Sequence, residues 1–104
     1  MTYRGLFDAK VADTAASVTF SFALDLAPDE TLSSASVTAT VYSGTDLAPA
    51  AIISGAATIT ASQVSQIIID GLEGVTYLLT CSVETSYGAT LIRDGYLVVV
   101  SEEL

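Results

Sequence analysis

Alternation of apolar and polar side chains runs through most of this chain and predicts β-strands. The segment 17–24 has large residues on one face and Ser, Thr and Ala on the other. The large residues are Val18, Phe20, Phe22 and Leu24. The same period of two recurs over 35–42 and 76–85, and shorter apolar segments cover 51–54, 57–60, 64–69 and 89–100. Because this period puts successive side chains on opposite sides of a strand, about seven strands are predicted.

Turn-forming residues separate these segments at spacings of roughly 8–12 residues, which is typical of an all-β sandwich. Such signals include Pro28, Gly44 and the pairs 70–71 and 87–88. We expect hairpins through 71–74 and 86–88. Gly95 lies inside the last predicted strand, which indicates a bulge or a close backbone approach. The pattern predicts an antiparallel β-sandwich.

The N-terminal residues 1–16 show no clean period, and we interpret them as an arm or edge segment before a sandwich domain at 17–101. Two apolar runs, 67–69 and 97–100, do not alternate, which predicts burial on both faces. Either the arm or another subunit would cover them. The predicted contact residues are Tyr3, Leu6 and Phe7 in the arm and Leu97 and Val99 in the last strand. For the arm residues, a first strand that covers the chain's own core is an equal alternative.

The composition argues against several classes of function. Three Lys and Arg residues face twelve Asp and Glu residues, for a net charge of −9. Nucleic acid and anionic membrane surfaces are therefore poor partners, since both need a cationic footprint. Without histidine a Ser-His-Asp triad cannot form, and no catalytic residue is predicted. The loop carboxylates do not match a calcium loop, so we predict no metal and no cofactor.

Two further features concern compartment and the single thiol. No run approaches the ~18 apolar residues of a membrane span, and the N-terminus does not read as a signal peptide. We therefore expect synthesis in a cytoplasm. The lone Cys81 is expected to be a small buried hydrophobic residue, because few cations are present to activate a thiol.

The segment 72–77 carries a structural tyrosine motif. In immunoglobulin-like sandwiches a Tyr near the start of the penultimate strand bonds back to upstream backbone, and Tyr77 stands at that place. We expect Leu72 to plug the bottom of the core and Gly74 to make the turn. No Cys follows Tyr77 by two residues and the chain has no Trp, so an antibody-type domain is excluded. The motif favours a fibronectin-like relative.

The chain resembles a group of small bacteriophage proteins of about this length, encoded among head, connector and tail genes. The likeness rests on short motifs in a fixed order across residues 10–100. They are Phe-x-Phe-x-Leu at 20–24, Glu-Thr-Leu-Ser-Ser at 30–34, a Val-Thr-rich strand at 37–41, Ser-Gly-Thr-Asp at 43–46, Val-Ser-Gln-Ile at 64–67, Gly-Val-Thr-Tyr at 74–77 and Thr-Ser-Tyr-Gly at 85–88. One departure is Asp70-Gly71, where this pattern has a Gly-Gly pair.

This resemblance implies an immunoglobulin-like β-sandwich in the virion that works through protein–protein contacts. Its roles would be capsid decoration, a collar, a head–tail connector or a tail component. Its partners would be other virion proteins and copies of itself, as a homo-oligomer or through symmetric attachment to a ring or capsid. The alternative is a surface module that binds host glycan or protein through its loops. Tyr42 and Tyr87 are the aromatic residues that would serve it.

Overall fold

A computed structural model describes residues 4–7 and 10–101 of the chain. These residues form strands and one short 3₁₀ helix, Pro49–Ile52. The strands are β1 (Arg4–Leu6), β2 (Lys10–Val11), β3 (Ala15–Ser21), β4 (Leu32–Ser43), β5 (Ile53–Thr60), β6 (Gln63–Ile69), β7 (Thr76–Thr85) and β8 (Thr90–Val100). The predicted all-β class is confirmed.

The strands form two sheets with a shared core between them. The larger sheet has the order β1-β8-β7-β4, with β2 also paired to β8, and the smaller has the order β3-β6-β5. Strands β4, β7 and β8 pair antiparallel, as do β3, β6 and β5, whereas β1 and β2 run parallel to β8. The arrangement is a two-layer β-sandwich, with the arm built into its larger sheet.

The core follows the alternation of the sequence. Along β7 the inward side chains Tyr77, Leu79, Cys81 and Val83 are all buried, as their spacing predicts. Burial raises the pKa of the Cys81 thiol to about 11, which keeps it protonated at neutral pH. On β3 the inward residues Val18 and Phe20 are buried as well.

Gln66 is a buried polar residue that repairs a defect in the smaller sheet. The pairing of β5 with β6 shifts register between Ser54 and Thr58, where Gly55 has a positive φ of 70°. Such a shift takes backbone carbonyls out of the ladder. The Gln66 amide donates to the carbonyl oxygens of Ser54 and Gly55, at 2.9 and 3.2 Å. Gln66, which belongs to the Val-Ser-Gln-Ile motif at 64–67, thus stabilises the bulge by bonding to these two carbonyl oxygens.

Several sequence predictions are corrected by the structure. The segment 71–74 is not a hairpin, because β6 and β7 lie in different sheets. The predicted strand 17–24 ends at Ser21, so Leu24 lies in a loop and is 96% exposed. The run 67–69 is not buried on both faces, since Ile67 is 46% exposed. The segment 86–88 does join β7 and β8 as a hairpin.

The arm meets the sandwich at Gly95, where a close backbone approach was one of two predictions. A Cβ at this position would overlap the Phe7 ring. The Phe7 ring also meets Phe20 edge-on, with centroids 5.2 Å apart and planes at 84°. Phe7 therefore covers part of the core between β8 and β3, as a first strand that covers the chain's own core would do. The boundary between 16 and 17 stays a prediction, although β1 and β2 already belong to the larger sheet.

Candidate interaction surfaces

An apolar surface lies on the outer side of the larger sheet. Leu78 is opposite Thr40 on β4 and Tyr96 on β8, so these three residues form one row across the sheet. The rings of Tyr42 and Tyr96 are in contact, with centroids 4.6 Å apart. We call the surface made by Tyr42, Leu78, Tyr96 and Val98 the tyrosine face. All four residues keep part of their surface in solvent, and Tyr42 is 60% exposed.

The tyrosine face has a clear polar border. The next row toward the β7–β8 hairpin contains Thr38, Thr80 and Asp94, in register with one another. An aromatic patch with a polar rim is the composition found at protein–protein contacts, where Tyr contributes area at a small cost in side-chain entropy. The outer side of the larger sheet is thus suited to bind another protein.

A second candidate is a groove of about 260 Å³ between the two sheets, beside β3. Phe7 and Phe20 provide apolar walls and Leu24 stands on its lip. Arg93 and Asp94 close it on the β8 side, and Arg93 is paired with Asp25 in the adjacent loop. We call this depression the β3 groove. It combines an apolar interior with charged groups at one end, which is how small binding grooves are commonly lined.

The five predicted contact residues fall into different places. Tyr3 lies outside the described residues, and Leu6 lies in β1, in register with Tyr96. Phe7 lines the β3 groove. Leu97 and Val99 are each 1% exposed, because they point inward from β8. They therefore have almost no exposed surface, whereas Tyr96 and Val98 on the same strand are partly exposed.

The tyrosine motif is a structural site. The Tyr77 hydroxyl accepts a hydrogen bond from the Leu72 N–H at 3.0 Å, which confirms the predicted bond to upstream backbone. It also donates to Asp46 Oδ2 at 2.6 Å, and this bond lowers the pKa of Asp46. Gly74 makes the turn with a φ of 83°, as expected. Leu72 does not plug the core, since it is 49% exposed and Val75 is the buried residue there.

Charged groups elsewhere brace the loops. Glu30 accepts hydrogen bonds from the Thr85 hydroxyl and from the Ala27 N–H, and these bonds lower the pKa of Glu30. The buried Lys10 amino group donates to the carbonyl oxygens of Val11 and Asp70, and its burial lowers the pKa of Lys10. Both groups join segments that are distant in sequence, so they stabilise the sandwich.

The described part of the chain offers neither a metal-binding cluster nor a membrane-spanning helix. No group of three or more His, Cys, Asp or Glu side chains within 4–7 and 10–101 is placed to hold a metal ion. Over the same residues, no helix has the length and apolar character to cross a membrane.

The fold is a small β-sandwich with an aromatic patch on the outer side of its larger sheet and a partly apolar groove beside β3. A family model described as the podophage GP4 fiber-tail adaptor protein gp77 matches residues 10–98. The chain belongs to this family, and it is therefore a tail-related structural protein of the bacteriophage virion that contacts other virion proteins. No match was found among curated proteins or among solved structures.

The alternation of the sequence indicates these two surfaces only in part. Tyr42 ends the predicted strand 35–42, and the loop-binding alternative counts it among the loop aromatics; it lies in β4, with its ring against Tyr96 of β8. The signal was present, because both tyrosines occupy outward positions of alternating strands. Which strands are neighbours could not be read from the alternation alone. The β3 groove carries no local signal, since its walls come from segments around 7, 20 and 93.

Proposed function

We propose that this chain links a tail fiber to the tail and that the tyrosine face is one of its two contact surfaces. The observation that carries the proposal is the family match over residues 10–98. An adaptor must hold two different proteins, so it needs two separate surfaces. The tyrosine face and the β3 groove adjoin at Asp94, but they differ in chemistry: the first is an aromatic sheet surface, the second a depression beside a strand edge.

Particles assembled with substitutions at Tyr42 test this role. In Tyr42→Lys a charge enters the apolar patch, and we expect several-fold fewer fibers per tail, measured by quantitative mass spectrometry of purified particles. Tyr42 is 60% exposed, so the variant should fold. The matched control is Tyr87→Lys in the β7–β8 hairpin, where the ring is 61% exposed. A normal fiber count in Tyr42→Lys would contradict the proposal for this face.

The same pair of variants separates the adaptor from the loop-binding alternative. A host-binding module would depend on Tyr87, which is at a hairpin tip, and less on Tyr42, which is on a sheet. Loss of host adsorption in Tyr87→Lys, with fibers present in normal number, would favour the recognition module. Normal adsorption by Tyr87→Lys together with fiber loss in Tyr42→Lys would favour the adaptor.

We further propose that the sandwich is immunoglobulin-like and that copies are arranged by attachment to a symmetric tail partner. The strand orders β3-β6-β5 and β4-β7-β8 follow the pairing scheme of immunoglobulin-type sandwiches, and Tyr77 bonds to backbone five residues upstream. Symmetric attachment is the usual arrangement in closed assemblies of identical chains.

A further inference from the structure

The smaller sheet ends in an open strand. In antiparallel pairing, alternate residues direct their backbone groups to opposite sides of the strand. The Phe22 N–H donates to the Ser62 carbonyl oxygen, and the Asp70 N–H donates to the Thr14 carbonyl oxygen. The even-numbered residues of β3 therefore direct their backbone N–H and C=O groups toward β6. The odd-numbered residues Ser17, Thr19 and Ser21 therefore point their N–H and C=O groups outward. Within the described part of the chain, no backbone group pairs with that side of β3.

This edge lacks the features that normally prevent strand pairing. Proteins protect sheet edges with bulges, prolines or charged side chains. The edge strand β4 has register shifts near both ends, and β5 has one at Gly55. In contrast, β3 pairs with β6 over seven residues without a shift, and it contains neither a charge nor a proline. Among β3, β4 and β5, the regular and unprotected edge is thus specific to β3.

The β3 groove lies directly beside this edge. The larger sheet continues past β8 into β1 and β2, whereas the smaller sheet stops at β3. The β3 groove occupies this step, with Thr19 and Ser21 on one side and Phe7 on the other. An added strand would bond to the open edge and place alternate side chains in the groove, which is how peptides bind by β-augmentation. Leu24, which is 96% exposed on the lip, would be covered.

Charge indicates what kind of strand fits. Carboxylates stand at both ends of β3: Asp13 and Asp70 both act on Lys10 at its start, and Asp25 lies beyond its end. The described cations near the strand, Lys10 and Arg93, already bind carbonyl oxygens and Asp25. A second copy of a chain with net charge −9 would bring further carboxylates to these ends. A neutral, alternating segment with Lys or Arg at its ends is complementary.

We propose that the open edge of β3 is a strand-addition site for an extended segment of another virion protein, with apolar residues at alternate positions and basic residues at its ends. The proposal rests on the proposed function in one respect, because the chain must be present in the particle.

Photo-crosslinking in assembled particles tests it. A photoreactive amino acid is placed at position 19, and at position 58 as the control. Thr19 and Thr58 are both exposed and both lie opposite Ser65, on opposite edges of the same sheet. We expect position 19 to crosslink at least fivefold more efficiently, to a different virion polypeptide. The crosslinked peptide should contain alternating apolar residues and flanking Lys or Arg.

The outcomes are distinguishable. Crosslinks from position 19 to a second copy of this chain, or equal yields at positions 19 and 58, would overturn the strand-addition site while the adaptor role stands. Absence of the protein from purified particles, measured by mass spectrometry, would overturn both.

A substitution provides an independent test. Thr19 N–H faces the open edge, so Thr19→Pro removes an outward donor without removing a bond to β6, a position where sheets accept proline. We expect the variant to fold, with incorporation into particles reduced at least tenfold. Thr19→Ser keeps the N–H and serves as the control. Normal incorporation of folded Thr19→Pro would overturn the proposal.

Discussion

At the scale of single residues, Tyr77 connects three parts of the fold. Its ring is fully buried, while its hydroxyl accepts from the Leu72 N–H and donates to Asp46. The loop before β5 and the turn before β7 are therefore held to one side chain. The bond to Leu72 could be predicted from the tyrosine's position, whereas Asp46 is 31 residues away and no sequence period connects the two.

Replacing Tyr77 with Phe should show the strength of this connection. Tyr77→Phe leaves the ring in place but removes the partner of Leu72 N–H and Asp46, so we expect a loss of about 1–2 kcal/mol in the free energy of unfolding at pH 7. Urea unfolding monitored by circular dichroism measures it. Tyr42→Phe, at a surface ring, is the matched control and should change stability by less than about 0.5 kcal/mol.

The same variant should alter the acid dependence of stability. The Tyr77 bond lowers the folded-state pKa of Asp46, so its contribution is present above the carboxyl's usual pKa and is lost as the pH falls through the lowered value. The stability difference between wild type and Tyr77→Phe should therefore shrink below pH ~4. A difference that stays constant from pH 7 to pH 3 would show that Asp46 does not share in this bond.

At the scale of elements, the arm is joined to the larger sheet by backbone pairing and by one ring. Strands β1 and β2 are short, and Phe7 N–H donates to the Tyr96 carbonyl oxygen at 2.9 Å between them. A Cβ on residue 95 would overlap the Phe7 ring, so a larger residue there would displace that ring. The contact between arm and sandwich thus depends on the missing side chain of Gly95.

Gly95→Ala should release the arm. The added methyl group overlaps the Phe7 ring, and overpacking of this kind typically costs about 1–3 kcal/mol. We expect faster hydrogen exchange at the Phe7 amide and faster proteolysis within the first eleven residues, with the remaining sheet intact. In a Phe7→Ala background the same change should cost much less, because the overlapping ring is gone. Equal costs in both backgrounds would rule out this contact as the cause.

The elements also show how far the sequence can be interpreted. Alternation located β7 at its observed ends and identified its inward residues, since that strand is buried on one face throughout. The pair Asp70-Gly71 correctly indicates a turn but does not reveal that β7 joins the other sheet. Leu24 fits the alternation of the sequence although the strand has already ended at Ser21. A loop side chain need not point to the face that the alternation predicts. The edge of β3 is open because none of the described strands pairs with that side. The local sequence pattern of a strand does not indicate which strands lie beside it.

At the scale of the whole molecule, charge is distributed unevenly. No charged residue lies between Asp13 and Asp25 or between Asp46 and Asp70, so all of β3, β5 and β6 is uncharged. The net charge of −9 is carried by the loops, the arm and the larger sheet. Long-range repulsion therefore opposes contact between copies at neutral pH, although the smaller sheet itself carries no charge that would oppose pairing.

Self-association should therefore depend on pH and salt. The sequence isoelectric point is about 4.1, where repulsion between copies vanishes, and at ~0.5 M salt the screening length falls to a few Å. We expect sedimentation velocity to show less association at pH 7 in low salt than near pH 4.1 or in high salt. Thr19→Lys, which puts a charge on the open edge, should suppress that association, whereas Thr38→Lys on the larger sheet should not. Association that is insensitive to pH and salt, or equally affected by both lysines, would show that copies meet through a surface other than the β3 edge.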